Sequence, residues 1–307
     1  MGPTRDTSED PRRSLVAGDG RPWNRVRGPQ PCHAAVVGVG RYPWRVNPTA
    51  DPSRLTPAEQ SYVLAIRATP DTQVLTGAAL ARRLHVSPQA AGEMLRRLVT
   101  DAMVEQDDQR RIRLTDEGRR IAETLYRRHA LAEWLLISVV GLGWAEADEE
   151  ATALQSVMST RVEEALDALV GHPETCPHGN PIEAAVAERR PAGNLLCDVE
   201  SGERAIIYRI TEEAEEDRGL LSYLEARGLL PGARVTVLAR SLSTDSLTLS
   251  GPFGRATMGL RPASLILVLP ADADTALFHR VPERVAAATA SGAAPALLDP
   301  AAGALRA

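Results

Sequence analysis

Lysine is missing from this chain of 307 residues, and all 35 basic side chains are arginine. No phosphate-cradling G-x-x-x-x-G-K loop is therefore present, and no G-x-S-x-G nucleophile elbow is found either, so the two commonest enzymatic signatures are excluded and a non-enzymatic role is expected. Cysteine is scarce. Cys32, Cys176 and Cys197 are odd in number and unrelated in spacing, which argues against a disulfide framework and for a reducing, cytoplasmic setting. Long apolar runs are absent too: the longest, 134–142, is about half of what a bilayer requires, so no membrane span is expected. The first 35 residues lack the apolar stretch of a secretory signal. Aromatics make up only 4% of the chain, while alanine is abundant, which favours helix.

The length suffices for two or three compact units, and 44% hydrophobic with 24% charged residues is an ordinary globular balance. The net charge of -5 hides an asymmetry. Residues 1–54 hold 9 Arg against 5 acids and 55–128 hold 12 against 10, whereas 129–190 hold 3 against 11. A basic front and an acidic middle suit a chain that meets a polyanion at one end and a cation or partner further along, although solvated faces of different charge would look the same.

The residues 1–54 read as a disordered basic arm. From 55 the pattern tightens: Thr56 as N-cap, Pro57 at the first helical position and a Tyr62, Val63, Ile66 stripe define one helix. Thr76 caps a short second helix, and Ser87 with Pro88 opens a longer third one after a tight turn. Two short extended runs, MVEQDD and RRIRLT, follow around a polar turn, which gives a winged helix-turn-helix over 55–120. Residues 121–190 read as the helical domain, with one helix over 119–141 leading into it and a second over 145–171, its first turn loaded with Asp148, Glu149 and Glu150 as the helix dipole favours. A Pro/Gly-rich loop, HPETCPHGNPI, ends this stretch. Over 191–270 the period falls toward two in ERAIIYRI, ARVTVLAR, DSLTLS and SLILVLP, predicting a small β-barrel with one inserted helix. Residues 271–307, rich in Ala and Pro, read as a flexible tail.

The order and spacing of RIRLTDEGRRIA, RRHALAEWLL, GHPETCPHGNPI and ERAIIYRI with LEARGLLPGARVTV resemble the diphtheria toxin repressor (DtxR/MntR-like) family of metal-dependent transcriptional regulators. The resemblance covers 55–270. It implies a mainly α fold with a small β part: a winged helix-turn-helix, a helical dimerisation domain and a C-terminal SH3-like β-barrel, assembled as a homodimer on a double-stranded DNA operator. Physical geometry agrees. An α-helix about 12 Å thick fits the major groove, and a two-fold dimer presents two such helices one helical turn apart. The recognition helix would be 87–98, with Ser87 and Gln89 near its groove-facing end and Arg97, Arg110, Arg111 and Arg113 on phosphates.

The resemblance also implies two metal positions. The primary one falls here on Ser61, Thr152, Gln155 and Ser156, four neutral and weak ligands, so that site is expected to be degenerate. The ancillary one falls on His129, Glu133, Asp148 and Asp217. One imidazole with three carboxylates suits a divalent metal, Mn or Fe ahead of Zn because of the hard oxygens. A histidine among acids is equally consistent with a hydrogen-bonded structural role. The loop with His172, Cys176 and His178 has the wrong spacing for a CxxC-type zinc site and is expected to be a turn packing between domains. The expected function is a dimeric DNA-binding repressor related to iron and manganese homeostasis regulators, its metal response altered or lost at the primary position. The alternatives are control by another ligand or by none, a metalloenzyme using His129, Glu133 and Asp148, and an interaction module.

Overall fold

The computed structural model describes residues 51–69, 74–283 and 285. Of the expected basic arm, all but the last four residues lie outside that range, Cys32 and His33 among them, as do residues 286–307 of the expected tail.

Helices start where a short polar side chain can absorb free amides. Thr56 caps α1 (Pro57–Arg67), its hydroxyl accepting from the Glu59 amide while the Glu59 carboxylate accepts from the Thr56 amide. Thr76 caps α2 (Gly77–Arg83) and Ser87 caps α3 (Pro88–Thr100), each hydroxyl accepting from a first-turn amide, of Ala79 and Ala90 respectively. Two short antiparallel strands follow, β1 (Val104–Gln106) and β2 (Ile112–Leu114). Leu80, Leu98, Ile121 and Leu125 are fully buried and join these elements to the first half of α4 (Asp116–Leu135). Each such side chain contributes about 1.5–3 kcal/mol of burial free energy.

α4 runs into a π-helical turn (Leu136–Val140) that Gly141 ends with φ 84°. The helix expected over 145–171 is two helices, α5 (Trp144–Val157) and α6 (Thr160–Val170). Met158 is extended between them, and the Ser159 hydroxyl accepts from the Val162 amide, so a local cap wins over helical continuation. Buried Arg128 donates to Glu163 at 3.0 Å, and Arg127 pairs with Glu163, Asp167 and Glu183, which fastens α6 to α4.

After α7 (Ala184–Arg189), a six-stranded antiparallel sheet has the order β3-β8-β4-β5-β6-β7. Its strands are β3 (Asn194–Leu195), β4 (Arg204–Ile210), β5 (Arg234–Ser241), β6 (Ser246–Gly251), β7 (Gly254–Met258) and β8 (Ile266–Pro270). Between β4 and β5 lie α8 (Glu212–Glu215) and α9 (Arg218–Ala226); α10 (Leu260–Ala263) precedes β8. Ile207, Val237, Leu249 and Val268 fill its interior, and Trp144 and Ala145 of α5 belong to the same core. The strands β3 and β7 were not expected from the sequence.

The reading of 271–307 as a flexible tail is corrected as far as Val285. A 3-10 turn (Thr275–Leu277) leads to Phe278, edge-on to Tyr208 at 6.3 Å, and to His279, edge-on to Trp134 at 4.9 Å and 2.8 Å from the Val170 carbonyl. Val285 is fully buried. These few apolar anchors draw an Ala/Pro-rich strap back from the sheet onto the helices. Among the described residues no helix is long and apolar enough to cross a membrane.

Candidate metal centre

Helical periodicity places His129 and Glu133 one turn apart on α4, and α5 brings Asp148 across from them. His129 Nε2 lies 3.5 Å from Glu133 Oε1 and 3.4 Å from Asp148 Oδ1. Glu133 is 1% exposed, an unusual place for a carboxylate.

The second half comes from the loop after α6. The Cys176 amide donates to the Asn180 carbonyl at 2.9 Å and the Gly179 amide to the Cys176 carbonyl at 3.0 Å, closing a tight turn. Gly179 has φ 88°, and a Cβ there would lie 2.5 Å from the Tyr208 carbonyl, so only glycine fits. The Ile210 amide donates to the His178 carbonyl, and Trp134 Nε1 to the Thr175 carbonyl at 2.7 Å, pinning the turn between β4 and α4. His178 is fully buried, edge-on to Trp144 at 4.4 Å. Its Nδ1 stands 3.3 Å from Glu133 Oε1 and 3.2 Å from Glu215 Oε1 of α8. Cys176 Sγ lies 4.0 Å from His178 Nδ1 and 3.8 Å from Glu215 Oε1.

Two triads of ligand atoms therefore share Glu133: His129 with Asp148, and Cys176 with His178. Within each, the atoms lie within 4.8 Å of one another. Among the described residues no other group of three or more such side chains converges this way. Glu133 Oε1 and His178 Nε2 are buried without a hydrogen-bond partner. A carboxylate oxygen left unpaired inside a protein is costly, and a cation relieves that cost. Thiolate, imidazole and carboxylate together are a donor set for a first-row divalent ion.

The titration of these groups reports how tightly they are packed. Burial alone would lower the His129 pKa, but the negative charge of Glu133 and the hydrogen bond His129 donates to Asp148 hold it well above 6.5. Burial keeps His178 below 6.5. Burial, then the charges of Glu215 and Glu133, push the Cys176 thiol well above 9.0; burial and the charge of Glu133 do the same to Glu215 relative to 4.5. A divalent ion opposes each upward shift, since it rewards the deprotonated form.

His129, Glu133 and Asp148 thus converge. Asp217 stays outside the cluster: its carboxylate accepts from the Leu220 amide at 3.0 Å as the N-cap of α9, and Glu215 enters two residues earlier. The loop expected to pack between domains contributes Cys176 and His178, whose partners lie on distant elements and leave no local spacing signal. At the other metal position, Ser61 Oγ donates to the Pro57 carbonyl, Thr152 Oγ1 to the Asp148 carbonyl, and Ser156 Oγ to Gln60 Oε1 at 2.7 Å, while Gln155 is buried with Oε1 unpartnered. Of the residues expected on DNA, Ser87 and Gln89 are exposed at the start of α3, and Arg110 and Arg113 are exposed on the β1–β2 hairpin. Arg97 is engaged instead with Glu59 of α1 at 3.0 Å and Arg111 with Asp107 at 2.5 Å.

Residues 115–184 match the family described as iron dependent repressor, metal binding and dimerisation domain, and 194–270 match the FeoA domain. The iron-dependent repressor IdeR of Mycobacterium leprae is 34% identical over 170 residues, 52% of this chain and 74% of that protein. The chain belongs to the diphtheria toxin repressor family of metal-dependent transcriptional regulators. A diphtheria toxin repressor of Corynebacterium efficiens is 30% identical over 169 residues, 52% of this chain and 74% of its own length. Among solved structures, a manganese-dependent transcriptional repressor in complex with manganese superposes with TM-score 0.60 at 29% identity, covering 69% of this chain and 99% of its own. ScaR with bound Zn2+ gives TM-score 0.57 at 27% identity over 69% and 99% of the two chains. In this family member the segment matching the metal-binding and dimerisation domain holds His129, Glu133, Asp148, Cys176 and His178, and the FeoA segment holds Glu215.

Proposed function

We propose that the chain is a homodimeric repressor that binds a double-stranded DNA operator through a winged helix-turn-helix over 55–120 and responds to a divalent ion at the Glu133 cluster. The observation that carries this reading is the buried Glu133 carboxylate, its Oε1 unpartnered between the His129 and His178 rings. His129, Glu133 and Asp148 would hold an ion on the helical side, with Cys176, His178 and Glu215 closing the cluster from the loop and sheet. Such an ion supplies positive charge to three carboxylates gathered in one cluster, in place of the proton that His129 otherwise carries. Oxygen donors favour Mn2+ or Fe2+, and the thiol with two imidazoles adds Zn2+ to the candidates.

The neutral side chains Ser61, Thr152, Gln155 and Ser156 support a degenerate primary site, leaving this cluster as the sensing element. Exposed Leu154, Val157 and Val162 around the break between α5 and α6 support a second copy as partner, with Val157 80% exposed. On DNA, α3 would lie in the major groove with Gln89 toward base edges and the hairpin arginines on phosphates. The ion acts by population shift, and its effect is bounded by its differential affinity for the DNA-competent arrangement. A repressor of this kind works in the cytoplasm, where Cys176 and Cys197 stay reduced.

The test is retention of a duplex selected from random sequence by the full chain, titrated with Mn2+, Fe2+, Zn2+ and a chelator, with metal content measured on the same sample. Retention that rises with bound metal and falls with Glu133→Ala supports the reading. Equal retention throughout, at full metal content or none, would eliminate metal control.

A further inference from the structure

α8 is one helical turn, and its carboxylates leave in different directions. Glu215 enters the metal cluster, held there by Asn180 Nδ2 at 2.5 Å from its Oε1. Glu212, on the same turn, accepts from Arg67 Nη1 of α1 at 3.1 Å; both side chains are largely buried, and the Arg67 guanidinium lies 3.7 Å from the centroid of the Tyr126 ring of α4. Glu216, the C-cap, takes Arg83 Nε of α2 at 2.6 Å. Arg83 is not a loose surface charge. Its Nη1 also donates to the Ala65 carbonyl at 3.1 Å and to Thr69 Oγ1 at 3.4 Å, so it ties the end of α1 to α2 and both to α8.

We propose that α8 is the mechanical link between the metal cluster and the N-terminal helices, with Glu212 and Glu216 as positioning residues. This rests on the metal reading above and deepens it by naming the path of regulation. An ion that draws Glu215 toward Cys176 and His178 fixes a turn only four residues long. Glu212 and Glu216, three before and one after, cannot then move independently, and Arg67 and Arg83 carry that constraint into α1 and α2, against which α3 packs. The signal is positional: neither glutamate touches the ion, and each meets an arginine from the DNA-facing end of the chain. Isolated exposed ion pairs do little, but two pairs on one turn, one of them largely buried and stacked on an aromatic ring, act together.

The test compares backbone hydrogen exchange in 57–83 with and without saturating Mn2+, in the full chain, with Mn2+ stoichiometry measured by calorimetry on the same samples. In the wild type, Mn2+ slows exchange there by a factor within the range of about 5 to 150 expected of a coupling between sites. In Glu212→Gln/Glu216→Gln, Mn2+ still binds at the same stoichiometry, but the metal-dependent slowing is lost. Glu213→Gln, on the same turn but paired with exposed Arg261, keeps it. Slowing that persists in the double variant overturns the proposal, as does a wild type that binds Mn2+ without any slowing. A wild type that binds neither Mn2+ nor Zn2+ overturns the metal reading itself, and the link with it.

Discussion

Ser156 Oγ donates to Gln60 Oε1 at 2.7 Å, joining α5 to α1 by a neutral hydrogen bond. Gln60 is 2% exposed and its Nε2 donates to the Pro52 and Leu55 carbonyls, so the whole amide is used. The bond stands where the family resemblance puts ligands of a primary ion. A link of this kind holds the two helices together whatever the metal concentration. Ser156→Ala leaves Gln60 Oε1 buried and unpaired, and should lower unfolding free energy by about 1–3 kcal/mol in urea denaturation. Mn2+ stoichiometry should not change. A drop in stoichiometry would show that this position binds metal after all.

Metal affinity should climb with pH. His129, Cys176 and Glu215 all have raised pKa values, so an ion must displace protons from them, and each proton displaced steepens the rise by about tenfold per pH unit. Calorimetry in buffers of different ionisation enthalpy counts those protons. In chelator the sign for stability is opposite. A group whose folded pKa is raised contributes stability that is complete below its unfolded value and lost as pH rises through the folded one. For Glu215 that loss begins above about 4.5 and for His129 above about 6.5. His178, lowered, contributes in the other direction, its share being lost as pH falls below about 6.5. Glu215→Gln should therefore flatten the decline of chelated protein toward alkaline pH, read as Tm against pH.

Much of the helical scaffold is legible in sequence because its signals are local. Thr56, Thr76 and Ser87 cap the helices whose starts they mark, and the spacing of His129 and Glu133 puts them on one face without further information. The cluster is not legible in the same way. Cys176 and His178 meet Glu133 and Glu215 only because a five-residue turn is pinned between β4 and α4 by contacts far apart in the chain, Ile210 to His178 and Trp134 to Thr175. Asp217 has the right charge and nearly the right place, yet a helix cap consumes it. The strap ending at Val285 was hidden by composition, since an alanine-rich segment gives no period and a few anchors such as Phe278 and His279 decide its course.

Gly118 sits in the first turn of α4 against the backbone of Met103. A Cβ at that position would lie 1.9 Å from the Met103 carbonyl oxygen and 2.9 Å from its carbonyl carbon. Neither is the end of a flexible side chain, so the helix and the β1 approach would have to separate. The Thr115 amide and hydroxyl both bond to that same carbonyl, so the movement would also break the helix cap region. Gly118→Ala should cost at least about 1–3 kcal/mol, the usual range for overpacking, despite the gain in helix propensity. A variant as stable as wild type in urea would refute the close approach.

The exposed end of α3 and the hairpin predict different kinds of loss on DNA. Gln89 is exposed beyond the Ser87 cap, and its only described side-chain bond is to Glu93 at 3.3 Å, which base contacts can replace. Gln89→Ala should relax base preference, with about 1–3 kcal/mol of discrimination lost at one position and little change in salt dependence. With Arg113 on a phosphate as proposed, Arg113→Ala should weaken all sequences alike and reduce the slope of log affinity against log salt by about one. Arg97 sorts differently, because its guanidinium already faces the Glu59 carboxylate. Arg97→Ala should leave that slope intact and act on folding of the α1–α3 unit instead. Binding isotherms at four or more salt concentrations separate the three, and a slope change for Arg97→Ala equal to that for Arg113→Ala would mean that the Glu59 pair opens on DNA.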